Sequence, residues 1–133
     1  MASLNFPTSK TLVYPRSTVE RAIRALACSP FRLGLFMAMR NHSIPLSAIA
    51  RSEGYQQGFT RRTLSELACE DAALWLINVG ILRREVDGQG ITDSYRLTPL
   101  GHQLISEFTE LDWPAPSCQD RLKNALTRWF KIR

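Results

Sequence analysis

The stretch from Arg61 to Gly101 constrains this chain more than any other. Leu64, Leu67, Ala68, Trp75, Leu76 and Val79 recur at helical spacing, and Ala73, Leu74 and Ile77 widen the apolar stripe in its second half. The segment therefore reads as a helix whose later turns, Trp75 included, are buried. Gly80 suits its end, because a residue without a β-carbon takes the left-handed closing conformation at no steric cost. Ile81 to Val86 and Ser94 to Leu97 then read as strands, joined by Asp87, Gly88, Gln89 and Gly90, which tolerate positive φ. Thr98 caps a further helix and Pro99 starts it, with Leu100, Leu104, Ile105 and Phe108 as its apolar face. A helix, a β-hairpin and a helix follow one another.

The start of the first of these helices has two solutions. Thr63, Leu64, Ser65 and Glu66 have capping-box spacing, while a cap at Thr60 places Arg61 and Arg62 in the first turn. Glu70 and Asp71 interrupt the pattern, and one continuous helix is preferred over two shorter ones with Asp71 as a cap. Upstream, residues 1–16 form an arm with Pro7, Pro15 and no sustained period. Ser17, Thr18, Val19 and Glu20 fit a capping box for an amphipathic helix to Cys28. Ser29 and Pro30 open a second helix that is apolar on most faces. Ile44 and Pro45 turn the chain, since the residue before proline leaves the helical region. Leu46 to Ser52 is a short helix, Gly54 its stop, and Tyr55 to Thr60 a loop. Beyond Pro114 and Pro116, which no helix interior accommodates, a last helix from Cys118 to Ile132 carries Leu122, Ala125, Leu126, Trp129 and Phe130 on one side. Arg121, Lys123, Arg128, Lys131 and Arg133 make it basic.

These elements predict a mainly α protein with a small β-hairpin, an α+β class, in one domain over 17–133. With 133 residues, 44% of them hydrophobic, the chain has enough material for one core. No apolar run of membrane-spanning length and no signal-peptide core occurs, so a cytoplasmic protein with no membrane partner is expected. The net charge of +5 permits attraction to polyanions. Cys28, Cys69 and Cys118 are too few and too far apart for a disulfide framework or a zinc knuckle, and buried thiols are expected. His42 and His102 lack metal-ligand neighbours. Neither a nucleophile elbow nor a phosphate-cradling glycine loop is present. No enzymatic activity, metal or cofactor is expected.

Leu76, Gly80, Ile81 and Leu82, followed by Arg83 and Arg84, are similar to the passage from recognition helix to first wing strand in MarR- and PadR-like transcription regulators. Leu97, Thr98, Pro99, Leu100 and Gly101 resemble the Leu-Thr-Pro-x-Gly sequence that follows their second wing strand. The resemblance covers about residues 30–108 and implies a winged helix-turn-helix core with additional N- and C-terminal helices. It implies a sequence-specific regulator of transcription that binds double-stranded DNA as a homodimer. Gln56, Gln57, Thr60, Arg61, Arg62 and Ser65 would then lie near the start of the recognition helix, where arginine and glutamine can read base edges. Arg83, Arg84, Gln89 and Arg96 would bring the wing to the backbone or minor groove. The bland reading of the hairpin pairs its arginines with Glu85, Asp87 and Asp93. Leu122, Leu126, Trp129 and Phe130 are the dimerisation candidates. The competing expectation is a winged-helix module that docks on a protein partner and does not bind DNA.

Overall fold

In the computed structural model of the chain the described residues are 14–108. The arm expected over 1–16 lies almost wholly outside them, as do the expected C-terminal helix and the dimerisation candidates Leu122, Leu126, Trp129 and Phe130. The described residues form six helices and a three-stranded antiparallel sheet, an α+β arrangement around one apolar core.

Helix α1 (Arg16–Cys28) buries Val19, Ala22, Ile23 and Leu26. It begins a residue before the expected capping box, with the Val19 amide donating to the Pro15 carbonyl at 3.1 Å. Glu20 pairs with Arg16 one turn back, at 3.0 Å, and no side chain caps the helix. Ser29 closes α1 rather than opening the next helix, its hydroxyl donating to the Leu26 carbonyl at 3.0 Å. Phe31 is drawn into a bridge with Thr60, and the Arg32 amide donates to the Phe59 carbonyl at 2.8 Å. Helix α2 (Leu33–Ala38) consequently starts later than Pro30.

Ile44 and Pro45, expected as a turn, form strand β1 (Ile44–Pro45). The extended bias that proline imposes on its predecessor serves a strand as well as a turn, and an edge strand tolerates a residue without an amide proton. The helix expected over Leu46 to Ser52 is divided into α3 (Leu46–Ile49) and α4 (Arg51–Gln56) by an extended Ala50 and by Arg51 at φ 61°. Gly54 lies inside α4 rather than ending it. A β-carbon there would strike the Ile49 backbone, so glycine permits the two helices to meet so closely.

Helix α5 (Glu66–Asn78) is continuous through Glu70 and Asp71. Its cap is Ser65, whose hydroxyl accepts from the Ala68 amide at 3.1 Å; neither Thr60 nor Thr63 serves. The buried line is Cys69, Ala73 and Leu76, spaced by four and three residues, and the helix packs on α1, α3 and the first hairpin strand. Leu67, Ala68 and Trp75, expected in the core, face outward. Small side chains at Cys69, Ala72 and Ala73 allow the close approach, which turns the larger ones away from the core.

Strands β2 (Leu82–Asp87) and β3 (Gly90–Leu97) form the hairpin, in register Leu82 to Leu97 and Val86 to Ile91, with an irregularity between Arg84 and Val86. β3 pairs with β1 on its other side, Ile44 opposite Tyr95, giving the order β1-β3-β2. Helix α6 (Pro99–Phe108) is held to the end of α5 by Thr98. Its amide donates to the Ile81 carbonyl at 3.0 Å, and its hydroxyl contacts the Gly80 carbonyl and accepts from the Gly101 amide at 3.0 Å. No helix among the described residues is long and apolar enough to cross a membrane.

Candidate functional site

The residues expected to meet a ligand fall on three elements. Gln56 and Gln57 are exposed at the end of α4. Thr60 is fully buried in its bridge with Phe31 and offers nothing to a surface ligand. Arg61 is half-buried, its amide bonded to the Pro30 carbonyl at 2.9 Å, while Arg62 is exposed. Because α5 begins at Glu66, both arginines belong to the preceding connection and not to the helix's first turn. That turn contains Glu66, which pairs with Arg51, and Ser65 acts as the cap.

On the hairpin, Arg83 is exposed. Arg84 lies 4.0 Å from the Glu70 carboxylate, with its guanidinium 5.4 Å from the centroid of the buried Tyr95 ring. Arg96 pairs with Glu85 at 2.6 Å. Of the partners expected for these arginines Glu85 is engaged, and Glu70 of α5 takes a role no local pattern indicated. Gln89 is exposed at the tip, its amide donating to the Asp87 carboxylate at 2.7 Å. Burial raises the pKa of Tyr95, against the lowering effect of Arg84.

The outward side of α5 is a feature that periodicity alone misassigned. Leu67 is 67% exposed, Trp75 53% and Leu74 40%. At 100° per residue Leu67, Asp71, Leu74 and Asn78 form the outward line; Trp75 flanks it toward α1 and Glu70 toward the hairpin. Between Glu66 and Asn78 the helix has three acids and no lysine or arginine. Trp75 and Ala72 also wall a groove of about 540 Å³ whose other side is α1, with Arg21, Arg24 and Ala25. Arg21 additionally donates to the Asn78 carbonyl at 2.8 Å, a cation at the negative end of α5. The run of small residues at Cys69, Ala72 and Ala73 is the sequence signal that could have identified the inner face.

Cys69 is buried, as expected, and burial followed by the charge of Glu70 pushes its thiol up to about 11. At neutral pH it is a protonated, weakly nucleophilic core group. Cys28 departs from the expectation of a buried thiol: it is exposed and disulfide-bonded. His42 and His102 are exposed, and no group of three or more His, Cys, Asp or Glu suited to a metal ion occurs among the described residues.

Helices packed on a three-stranded antiparallel sheet, with Leu67, Leu74 and Trp75 of α5 exposed, define a small α+β domain. The chain belongs to the Npun_F0494-like family, whose profile matches residues 12–128. No curated protein and no solved structure matches it.

Proposed function

We propose that this chain is a winged-helix domain that docks on a protein partner through the outward face of α5, and that this face does not read DNA. The winged-helix reading is supported by the order α2, β1, α3 with α4, α5, β2 and β3, and by a short first strand pairing beside the hairpin. In such domains the helix before the hairpin enters the major groove, where it approaches phosphates on both sides. One observation carries the docking reading: that helix exposes Leu67, Leu74 and Trp75 among Glu66, Glu70 and Asp71. Acids repel the phosphate backbone, and clustered exposed apolar side chains, an aromatic among them, are a mark of protein interfaces. The hairpin tip adds exposed Val86 and Ile91, cross-strand partners on β2 and β3.

A second reading, DNA binding through the connection before α5 and the wing, is favoured by Arg62 and Arg83, which are exposed. A fluorescence-polarisation titration with random duplex at low and physiological salt separates the two. On the docking reading α5 makes no duplex contact, and Leu67→Ala with Leu74→Ala, which alters that face without altering its charge, leaves the titration unchanged. Tight binding that weakens steeply with salt and is lost in Arg61→Ala with Arg62→Ala would restore the DNA regulator.

A further inference from the structure

Cys28 is the last residue of α1, exposed and disulfide-bonded where the sequence predicts a buried thiol. The bond lies within one chain. That chain holds three cysteines, and Cys69 is a free thiol inside the core. By elimination the other sulfur belongs to Cys118, a residue outside those described. Cys28 also lines the groove of about 540 Å³ between α1 and α5, together with Arg21, Arg24, Ala72 and Trp75. A bond at this point therefore brings the chain beyond α6 back to the groove that Trp75 walls. We propose that Cys28 and Cys118 form a reversible disulfide, opened by small thiols, which holds the C-terminal part of the chain at the α1–α5 groove when closed and releases it when open.

The exposed half of the bond is the point of attack. A glutathione thiolate attacks Cys28 Sγ and forms a mixed disulfide, and Cys118 leaves as a thiolate that takes a proton from water. A second glutathione thiolate attacks the glutathione sulfur of the mixed disulfide, releasing the Cys28 thiol and glutathione disulfide. Two electrons pass from two glutathione molecules to the protein, and the reverse exchange closes the bond. Arg21 and Arg24 in the same groove attract the anionic reductant. Cys69 is buried and protonated at neutral pH, so it does not compete for either sulfur. The loop that the bond closes contains the whole sheet and every helix after α1, so closing it restricts the unfolded chain and stabilises the fold.

Peptide mapping and thiol exchange on the full chain test this. Digestion without reductant recovers Cys28 and Cys118 in one linked peptide, and thiol titration in denaturant finds Cys69 alone. In millimolar glutathione without denaturant the bond opens and the melting temperature falls, and glutathione disulfide restores both. Cys28→Ser and Cys118→Ser match the reduced wild type in either buffer, while Cys69→Ala responds as the wild type does. Hydroxyl-radical labelling of Trp75, read by mass spectrometry, rises on reduction and stays at the reduced level in Cys118→Ser. Three titratable thiols, a Cys28 peptide linked to Cys69 or to another copy, a bond that yields to glutathione only in denaturant, or Trp75 labelling unchanged on reduction would overturn the assignment. None of these readouts involves duplex or a protein partner, so the latch stands or falls apart from the docking reading.

Discussion

Trp75 and Leu76 are neighbours in sequence with opposite energetic roles. Leu76 is fully buried on the inner line of α5, the helix that packs on α1, α3 and the hairpin, so Leu76→Ala removes transfer energy and leaves a cavity, a loss of about 2–5 kcal/mol in urea denaturation. Trp75 is half-exposed, and Trp75→Ala lowers stability by only about 1 kcal/mol in the same measurement. Cys69 makes a pH-dependent contribution of known sign. Its folded pKa is raised from 9.0 to about 11, so above pH 9 the unfolded chain releases the proton first. Stability is therefore intact below pH 9 and declines as pH rises toward 11, measurable as a fall in melting temperature that is smaller in Cys69→Ala, where the raised Tyr95 still contributes above pH 10. The neutral thiol also predicts slow alkylation by iodoacetamide in the native state and rapid alkylation in denaturant.

At the scale of elements, the molecule depends on a few backbone encounters. Ser65 fixes where α5 begins, and Ser65→Ala leaves the Ala68 amide without its acceptor, at about 1 kcal/mol in equilibrium unfolding. Gly54 is more demanding: Gly54→Ala forces α4 off the Ile49 backbone and lowers stability by more than the Ser65 variant does. The hairpin is tied to α5 by Arg84 near Glu70 and to α6 through Thr98, so both helices and the sheet meet at the Gly80 and Ile81 carbonyls. Much of this was legible: Gly80, the turn around Gly88 and Gln89 and the Thr98 to Gly101 cap are local chemistry, and the hairpin and α6 formed in the predicted order, although the second strand, expected from Ser94, begins at Gly90. Strand β1 and the break at Ala50 were not, because they depend on pairing with β3 and on the contact between α3 and α4.

For the whole molecule, charge is distributed unevenly. Residues 14–108 hold eleven arginines and nine acids, so much of the chain's positive excess lies toward its ends. Polyanion binding driven by that excess is expected to weaken in Arg128→Ala with Lys131→Ala and Arg133→Ala while remaining in Arg61→Ala with Arg62→Ala, read as salt-dependent duplex affinity. The acids of α5 belong instead to the proposed protein-binding face.

From Arg61 to Gly101 the sequence alone determined the order of helix, hairpin and helix, since glycine, turn and cap chemistry act over a few residues. It also determined that α5 has an apolar stripe. Which stripe is buried was a tertiary decision: α1, α3 and β2 admit the small side of the helix, and Leu67, Leu74 and Trp75 turn outward. The same packing placed Arg84 near Glu70 and buried Thr60 against Phe31. Those are contacts between residues distant in the chain, and no local pattern encodes them.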